Sequence, residues 1–167
     1  MTRAQCRALF ARLQGLPITR LHLTVHGSLF VELGELDERG ETGRVTICCE
    51  CQWRFDAPRS VYVGSGFPPH LRDKRLDALL GETVEHLDID TPIPELLMDI
   101  SGKRRLRSFT VDESQPKWGI KLEEEELQRS FCDEPLSDHH PWIGVKSGRL
   151  RAEWIERQEA IMVIIPT

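Results

Sequence analysis

One stretch of alternating residues constrains the fold of this chain more than any other. Small or apolar side chains alternate with polar ones and with Cys48 across Ile47, Cys48, Cys49, Glu50, Cys51, Gln52, Trp53, Arg54 and Phe55. Alternation with a period of two places the two sets on opposite faces of a β-strand. The sequence therefore predicts a half-buried strand from about Arg44 to Phe55, at the centre of a β-rich structure.

The cysteines in this stretch could belong to a metal site. Alternation separates Cys48 from Cys49 and Cys51, and a zinc site would need at least two further ligands. The nearest candidates lack the spacing of a CxxC or HxxxH motif. Free cysteines usually behave as small buried apolar residues, so we expect no metal and no cofactor. The sequence leaves open whether six side chains converge on a metal: Cys48, Cys49, Cys51, Cys132, His139 and His140.

Two short helices and a series of strands account for most of the chain. Thr2 and Gln5 match a capping box, and helical spacing of apolar residues then predicts a helix over Thr2–Gln14. A second amphipathic segment predicts a helix over Leu71–Leu80. Alternating segments predict strands elsewhere, including one on which Phe109 and Val111 face inward.

The order of these segments repeats at a nearly constant offset along the chain. Gly15-x5-Leu21-x-Leu23 corresponds to Gly81-x5-Leu87-x-Ile89, Leu29–Leu33 to Leu96–Ile100, and Trp53-Arg54-Phe55 to Trp118-Gly119-Ile120. Three anchors in one order predict an internal duplication. We therefore expect a single domain over residues 1–167, with pseudo-repeats at about 15–66 and 81–122 and a C-terminal β extension at 142–166. The predicted fold is mainly β: an antiparallel barrel-like or sandwich sheet built from two similar halves, with two short helices.

Composition limits the ligands and the cellular location that we expect for this protein. The chain carries 22 basic and 27 acidic residues, a net charge of −5, so no nucleic-acid footprint is expected. The five cysteines are an odd number and the first residues lack signal-peptide character, which predicts a reduced cytoplasmic location. The longest apolar run, Ala160–Pro166, is too short to span a bilayer, so no membrane association is expected.

The negative charge is concentrated in one segment. Residues 123–138 contain seven acids and one base, a net charge of −6, whereas the rest of the chain has about +1. A basic partner could bind such a segment, or the segment could simply solubilise the protein. The candidate partner-binding residues are Glu123, Glu124, Glu125, Glu126, Asp133 and Glu134.

Elsewhere the sequence offers little catalytic chemistry. No GxSxG pattern marks a nucleophile. The basic triplet Lys103–Arg105 could hold a phosphate, but the overall acidity favours a solvated turn. Cys132 and the His139-His140 pair could supply a site between the two halves. Catalytic residues are therefore not predicted, and enzymatic activity is the less favoured interpretation.

The pattern also resembles a bacterial family of unknown function with duplicated β-rich halves. The resemblance covers Gly15 to Leu122 and depends on a strand ending in Trp53-Arg54, on Leu80-Gly81-x2-Val84 and on Trp118. Some members of that family resemble toxin-immunity proteins, and the resemblance implies no catalytic residues. It implies a small cytoplasmic protein that binds another protein.

We therefore expect a non-catalytic protein-binding protein, in particular an immunity protein that neutralises a bacterial toxin through an acidic surface. The alternative is an enzyme or a small-ligand or metal-binding protein with a site between the halves. A homodimer joined by sheet edges is a further alternative, because open sheets leave edges to be covered.

Overall fold

A computed structural model describes residues 3–50, 52–90, 95–109, 118–122, 139–146 and 149–156, with residues 3–5 and the last two ranges described through their backbone only. In chain order the elements are α1 (Arg3–Arg12), β1 (Ile18–Leu23), β2 (Leu29–Leu36), β3 (Gly43–Cys49), β4 (Gln52–Ala57), β5 (Ser60–Gly64), α2 (Pro69–Asp77), β6 (Val84–Ile89), β7 (Leu96–Ile100), β8 (Arg104–Phe109), β9 (Trp118–Leu122), β10 (His139–Lys146) and β11 (Arg149–Glu156). A single 3-10 turn, Ser101–Lys103, joins β7 to β8.

The described strands form two antiparallel sheets. Sheet 1 has six strands in the order β1-β2-β3-β9-β10-β11, and sheet 2 has five in the order β5-β4-β8-β7-β6. The prediction of a mainly β protein with antiparallel sheets and two helices is confirmed. The described strands do not close into a barrel, so the barrel-like alternative is wrong for this part of the chain.

The single long strand predicted from Arg44 to Phe55 is wrong. β3 ends at Cys49 in sheet 1, and the chain then enters sheet 2 as β4 at Gln52. The alternation continues across this break because both sheets turn one face toward the same core. Ile47, Cys49, Trp53 and Phe55 are therefore all buried, although they lie in different sheets.

One apolar cluster takes residues from both sheets and both helices. Trp53 and Trp118 are among its largest fully buried side chains. The Trp53 indole N–H donates to the carbonyl oxygen of Gly27 at 3.2 Å, and its ring meets Phe55 edge-on with centroids 6.4 Å apart. This polar contact lets a large ring with an N–H donor be buried without leaving that donor unsatisfied.

Both helices were predicted, with boundaries that differ at the ends. α1 covers Arg3–Arg12 and ends before Gly15, within the predicted range. α2 begins at Pro69, earlier than the predicted Leu71, because proline at the first helical position already has helical φ and needs no hydrogen-bond donor there. Thr2, the predicted N-cap of α1, lies outside the described residues.

Reciprocal hydrogen bonds join the segments that precede β1 and β6. The Gly15 N–H donates to the carbonyl oxygen of Val84, and the Gly81 N–H donates to that of Ile18, both at 2.8 Å. Gly15 and Gly81 have φ angles of 83° and 84°, the left-handed conformation that favours glycine after a helix. Each glycine thus lies in the turn that follows a helix, and together they hold β1 and β6 side by side at their starts.

In β8 the predicted orientation is reversed. Leu106 and Ser108 face the core, whereas Phe109 lies outside it with the Arg54 guanidinium 4.6 Å from its ring centroid. The register decides this, since Leu106 lies opposite the buried Phe55. Val111, the other residue of that prediction, lies outside the described residues.

The C-terminal extension predicted at 142–166 is described only in part. β10 pairs with β9 on one side and with β11 on the other, which extends sheet 1 by two strands. Residues 157–166 lie outside the described ranges.

Candidate functional site

The six acidic residues predicted to bind a partner lie outside the described residues: Glu123, Glu124, Glu125, Glu126, Asp133 and Glu134. The structure does place the two ends of their segment. The chain leaves β9 at Leu122 and enters β10 at His139, and these strands are antiparallel neighbours in sheet 1. Residues 123–138, hereafter the acidic connection, therefore link two strands that are neighbours in that sheet.

A row of polar residues crosses the outer face of sheet 1. The register aligns Arg20 of β1 with Glu32 of β2, Glu32 with Thr46 of β3, and Thr46 with Lys121 of β9. Alternation along these strands turns their apolar neighbours, such as Val31 and Ile47, toward the core. A carboxylate is thus aligned across the sheet with a cation on each side.

Glu32 is the most unusual member of this row, because only 2% of it is exposed to solvent. The backbone N–H of Gly43 and the hydroxyl of Thr46 both donate to its Oε2, at 2.9 and 2.7 Å. Burial raises the pKa of the Glu32 carboxyl, and this outweighs the opposing effects of the two hydrogen bonds and of Lys121 and Arg20. Glu32 is therefore a protonatable group held in a fixed position.

An imidazole lies beside this carboxyl group. The rings of His22 and Phe30 stack with centroids 4.8 Å apart and planes 11° from parallel. Burial, and secondarily the charge of Arg20, lowers the pKa of His22. Its Nδ1 is buried and has no hydrogen-bond partner within the part of the chain that the structure describes. His22, Phe30, Glu32 and Lys121 line one pocket of about 330 Å³.

Sheet 2 carries a comparable row with different chemistry. There the register aligns Asp99 of β7 with Arg105 of β8, and Arg105 with Asp56 of β4. Arg105 binds Asp99 through both its Nε and its Nη2, the latter at 2.7 Å. The Nε of Arg54 lies 2.8 Å from Asp56, and that of Arg107 lies 3.3 Å from the same carboxylate. The carboxylates of this row are therefore ion-paired with arginines, which suits a structural role.

The basic triplet Lys103–Arg105 belongs to this surface. Arg104 pairs with Glu82 at 2.9 Å and Arg105 pairs with Asp99, so two of its three cations already have acidic partners. Gly102 and Lys103 both have positive φ, 72° and 59°, in the turn between β7 and β8. Lys103 therefore lies in the turn, whereas Arg104 and Arg105 lie in β8.

The cysteines and histidines whose convergence on a metal was left open are only partly described. Cys49 lies in the core, whereas Cys48 packs with Phe30 outside it, so the alternation does separate these two. Cys51 and Cys132 lie outside the described residues, and only the backbone of His139 and His140 is described. Within the described ranges, no group of three or more His, Cys, Asp and Glu side chains could hold a metal ion.

Sequence reasoning missed Glu32, although a signal was present. Glu32 interrupts the apolar run Leu29–Leu33 at an alternate position, which marks the outer face of the strand. Nothing in the sequence showed that this position would be buried. The pocket can bind a polar group through a protonatable carboxyl flanked by two cations.

Comparison with known proteins found no relative of this chain. No family model matches the chain, and neither the curated proteins nor the solved structures contain a match. In the described ranges, no helix is long and apolar enough to cross a membrane.

Proposed function

We propose that this chain is a non-catalytic binding protein that engages a basic protein partner through its acidic connection, as an immunity protein engages a bacterial toxin. One observation carries the proposal: residues 123–138 have a net charge of −6, whereas the whole chain has −5. A field of one sign speeds encounter with an oppositely charged partner and orients it. Glu123–Glu126, Asp133 and Glu134 are the proposed contact residues.

The described ion pairs support this assignment by reducing the acidic charge elsewhere. Asp99 is paired with Arg105, and Asp56 lies beside both Arg54 and Arg107. Carboxylates compensated in this way contribute little to the long-range field. The surplus of negative charge therefore belongs to the acidic connection.

Affinity purification from the native cells tests the proposal. The tagged wild-type chain is compared with a variant in which Glu123–Glu126 are all replaced by Gln, and the eluate is analysed by mass spectrometry. We expect a stoichiometric basic protein with the wild type and much less of it with the variant. With the purified pair, the association rate should fall by about tenfold or more in the variant, with the larger loss at low salt.

A matched control neutralises four exposed carboxylates elsewhere: Glu35→Gln, Glu38→Gln, Glu41→Gln and Glu85→Gln. This control changes the net charge by the same amount as the Glu123–Glu126 variant. If the position of the acidic residues decides binding, the control should still bind the partner. Equal loss in both variants would show a nonspecific charge effect. A protein that elutes without a partner but with a metal or small molecule would contradict the binding proposal. Coexpression that fails to suppress the partner's toxicity would contradict its immunity role.

We further propose that residues 15–66 and 81–122 arose by duplication. The reciprocal hydrogen bonds of Gly15 and Gly81 support this, because their acceptors, Val84 and Ile18, are separated by the same distance along the chain as the two glycines. After the first meander, β1-β2-β3, the chain adds β4 beside β8 of sheet 2. After the second meander, β6-β7-β8, it adds β9 beside β3 of sheet 1. Each proposed half thus extends the edge of the other's meander, the first half with β4 and β5 and the second half with β9.

A further inference from the structure

A groove runs along the free edge of β1. Strand β1 is the terminal strand of sheet 1 among the described strands, and residues Leu21–Val25 form one wall of the groove. The facing wall is α2, through Arg72, Asp73, Leu76 and Asp77, and the space between the walls is about 610 Å³. An edge strand next to a helix is the arrangement that several peptide-binding domains use to add an extended segment to a sheet.

Backbone groups of β1 point into this space. The Thr24 N–H donates to the carbonyl oxygen of Ser28, which places Thr24 and His22 in hydrogen-bonding positions toward β2. Because hydrogen-bonded and non-bonded pairs alternate in an antiparallel ladder, the N–H and C=O groups of Leu21 and Leu23 point away from β2. Earlier in the strand, the outward N–H of Ile18 is taken by the carbonyl oxygen of Glu82, at 2.7 Å.

The comparison of α2 with α1 explains why this groove is open. Cys6 and Leu9 of α1 are both buried, and α1 packs against β6. At the offset that relates Gly15 to Gly81, the corresponding positions of α2 are Arg72 and Arg75, which are too polar to seal a helix against a strand in the same way. Among the residues of α2 itself, the buried one is Leu76.

β6, which α1 packs against, and β1, which faces α2 across the groove, differ in burial. Leu87 of β6 is buried, with 2% exposed, whereas Leu21 at the corresponding place in β1 is only half-buried. Leu21 and Leu23 pack on the core from its margin. They leave an apolar surface in the groove beside the outward backbone groups of the same strand.

Arg72 adds charge to the groove. Its side chain is only 20% exposed, and its buried Nε has no hydrogen-bond partner within the described part of the chain. The nearest acid, Asp73, lies 3.6 Å away, is 64% exposed and stands at the rim with Asp77. A carboxylate that entered the groove could satisfy the Arg72 guanidinium, which is the strongest kind of hydrogen bond available to it.

We propose that this groove binds an extended peptide segment of a partner protein, which adds to sheet 1 beside β1 and places a carboxylate on Arg72. Its backbone pairs with the outward groups of Leu21 and Leu23, and an apolar side chain packs against Leu21, Leu23 and Leu76. The groove and the acidic connection involve different residues. The acidic connection is proposed to bind a basic protein, whereas the groove is proposed to bind a peptide that carries a carboxylate. The peptide proposal therefore does not rest on the function proposed above.

The test uses a displayed library of random linear peptides, each long enough to span β1, selected on the full-length protein. We expect enriched peptides with alternating apolar residues and an Asp or Glu at a fixed position. Arg72→Glu should select Lys or Arg at that position, and it should weaken binding of the original peptides by about 10- to 100-fold, as for loss of a hydrogen bond to a charged group. Arg72→Gln, a milder change, should lose the acidic preference without acquiring a basic one.

Arg59→Glu is the matched control, because it makes the same charge change at an exposed turn between β4 and β5. In the wild type, peptide binding should slow amide exchange at Leu21 and Leu23 but leave Leu87 and Ile89 unchanged. Failure to enrich any peptide, or equal effects of the Arg59 and Arg72 variants, would overturn the proposal. A concentration-dependent dimer that Arg72→Glu disrupts would overturn it in favour of a second copy of this chain as the occupant.

Discussion

Replacing Glu32 by Gln separates the charge of this buried side chain from its shape. Gly43 and Thr46 both donate to the same oxygen, Oε2, and the amide oxygen of Gln can accept both hydrogen bonds. The substitution thus keeps the described contacts and removes the ionised state. Because burial raises the pKa of Glu32, that ionised state is the unfavourable one in the folded protein.

The size of the effect follows from the pKa difference between the folded and unfolded chains. Each unit by which the folded pKa exceeds the unfolded one costs about 1.4 kcal/mol of stability once the group is ionised in both states. The hydrogen bonds to Oε2 and the attraction of Arg20 and Lys121 are already included in the direction of that shift. We therefore expect Glu32→Gln to increase the free energy of unfolding at pH 7 in proportion to that pKa difference.

The pH dependence of the free energy of unfolding shows the sign of this stability difference. Protonated Glu32 contributes its full stability below the pKa of the unfolded chain, whose ordinary value is about 4.5. That contribution is lost as the pH rises through the higher pKa of the folded state. Urea unfolding between about pH 4 and pH 8 should therefore show variant and wild type converging at the acidic end and separating toward neutrality. At higher pH the difference should become constant.

Glu35→Gln is the matched control, since Glu35 is exposed on the same strand. As a surface substitution it should change the free energy of unfolding by no more than about 0.5 kcal/mol throughout the range. The reasoning about Glu32 would be refuted if Glu32→Gln destabilised the protein increasingly as the pH rose. In that case Arg20 and Lys121 would stabilise the carboxylate by more than its burial costs.

The remaining substitutions probe packing and backbone conformation, each by urea or thermal unfolding. Trp53→Ala and Trp118→Ala should each lower the free energy of unfolding by roughly 3–5 kcal/mol, because both rings are fully buried, and an unchanged melting temperature in both would contradict a shared core. Gly43→Ala should cost about 1–3 kcal/mol, since a Cβ there would lie 2.7 Å from a backbone oxygen, whereas Gly66→Ala meets nothing within 4 Å and should be neutral. Lys103→Gly should stabilise by about 1 kcal/mol, because φ is 59° there; no gain would mean that the turn carries no strain.

Several features of the fold could be predicted from the sequence because they depend on local chemistry. Alternation located the strands and the positions of Trp53 and Phe55 in the core. Gly15 and Gly81, two anchors of the repeat, follow the two helices in the left-handed conformation that favours glycine. Such signals arise within a few residues, so one chain segment is enough to reveal them.

The errors have a different origin. The continuous strand predicted through Cys49 to Trp53 divides between two sheets, and alternation alone cannot distinguish one long strand from two whose inner faces share a core. The orientation of Phe109 was reversed because it depends on the register between β8 and β4, where Leu106 lies opposite Phe55. Register joins residues far apart in the chain, and local periodicity does not determine it.

The candidate functional sites also differ in whether the sequence alone could predict them. By itself, the sequence determined the acidic character of residues 123–138, since charge is a property of composition. Only the tertiary structure decided that Glu32 would be buried between Gly43 and Thr46, and that Arg72 would face the free edge of β1. Burial and convergence depend on which segments pack together. In this protein that packing is decided by pairings between strands and helices distant in sequence.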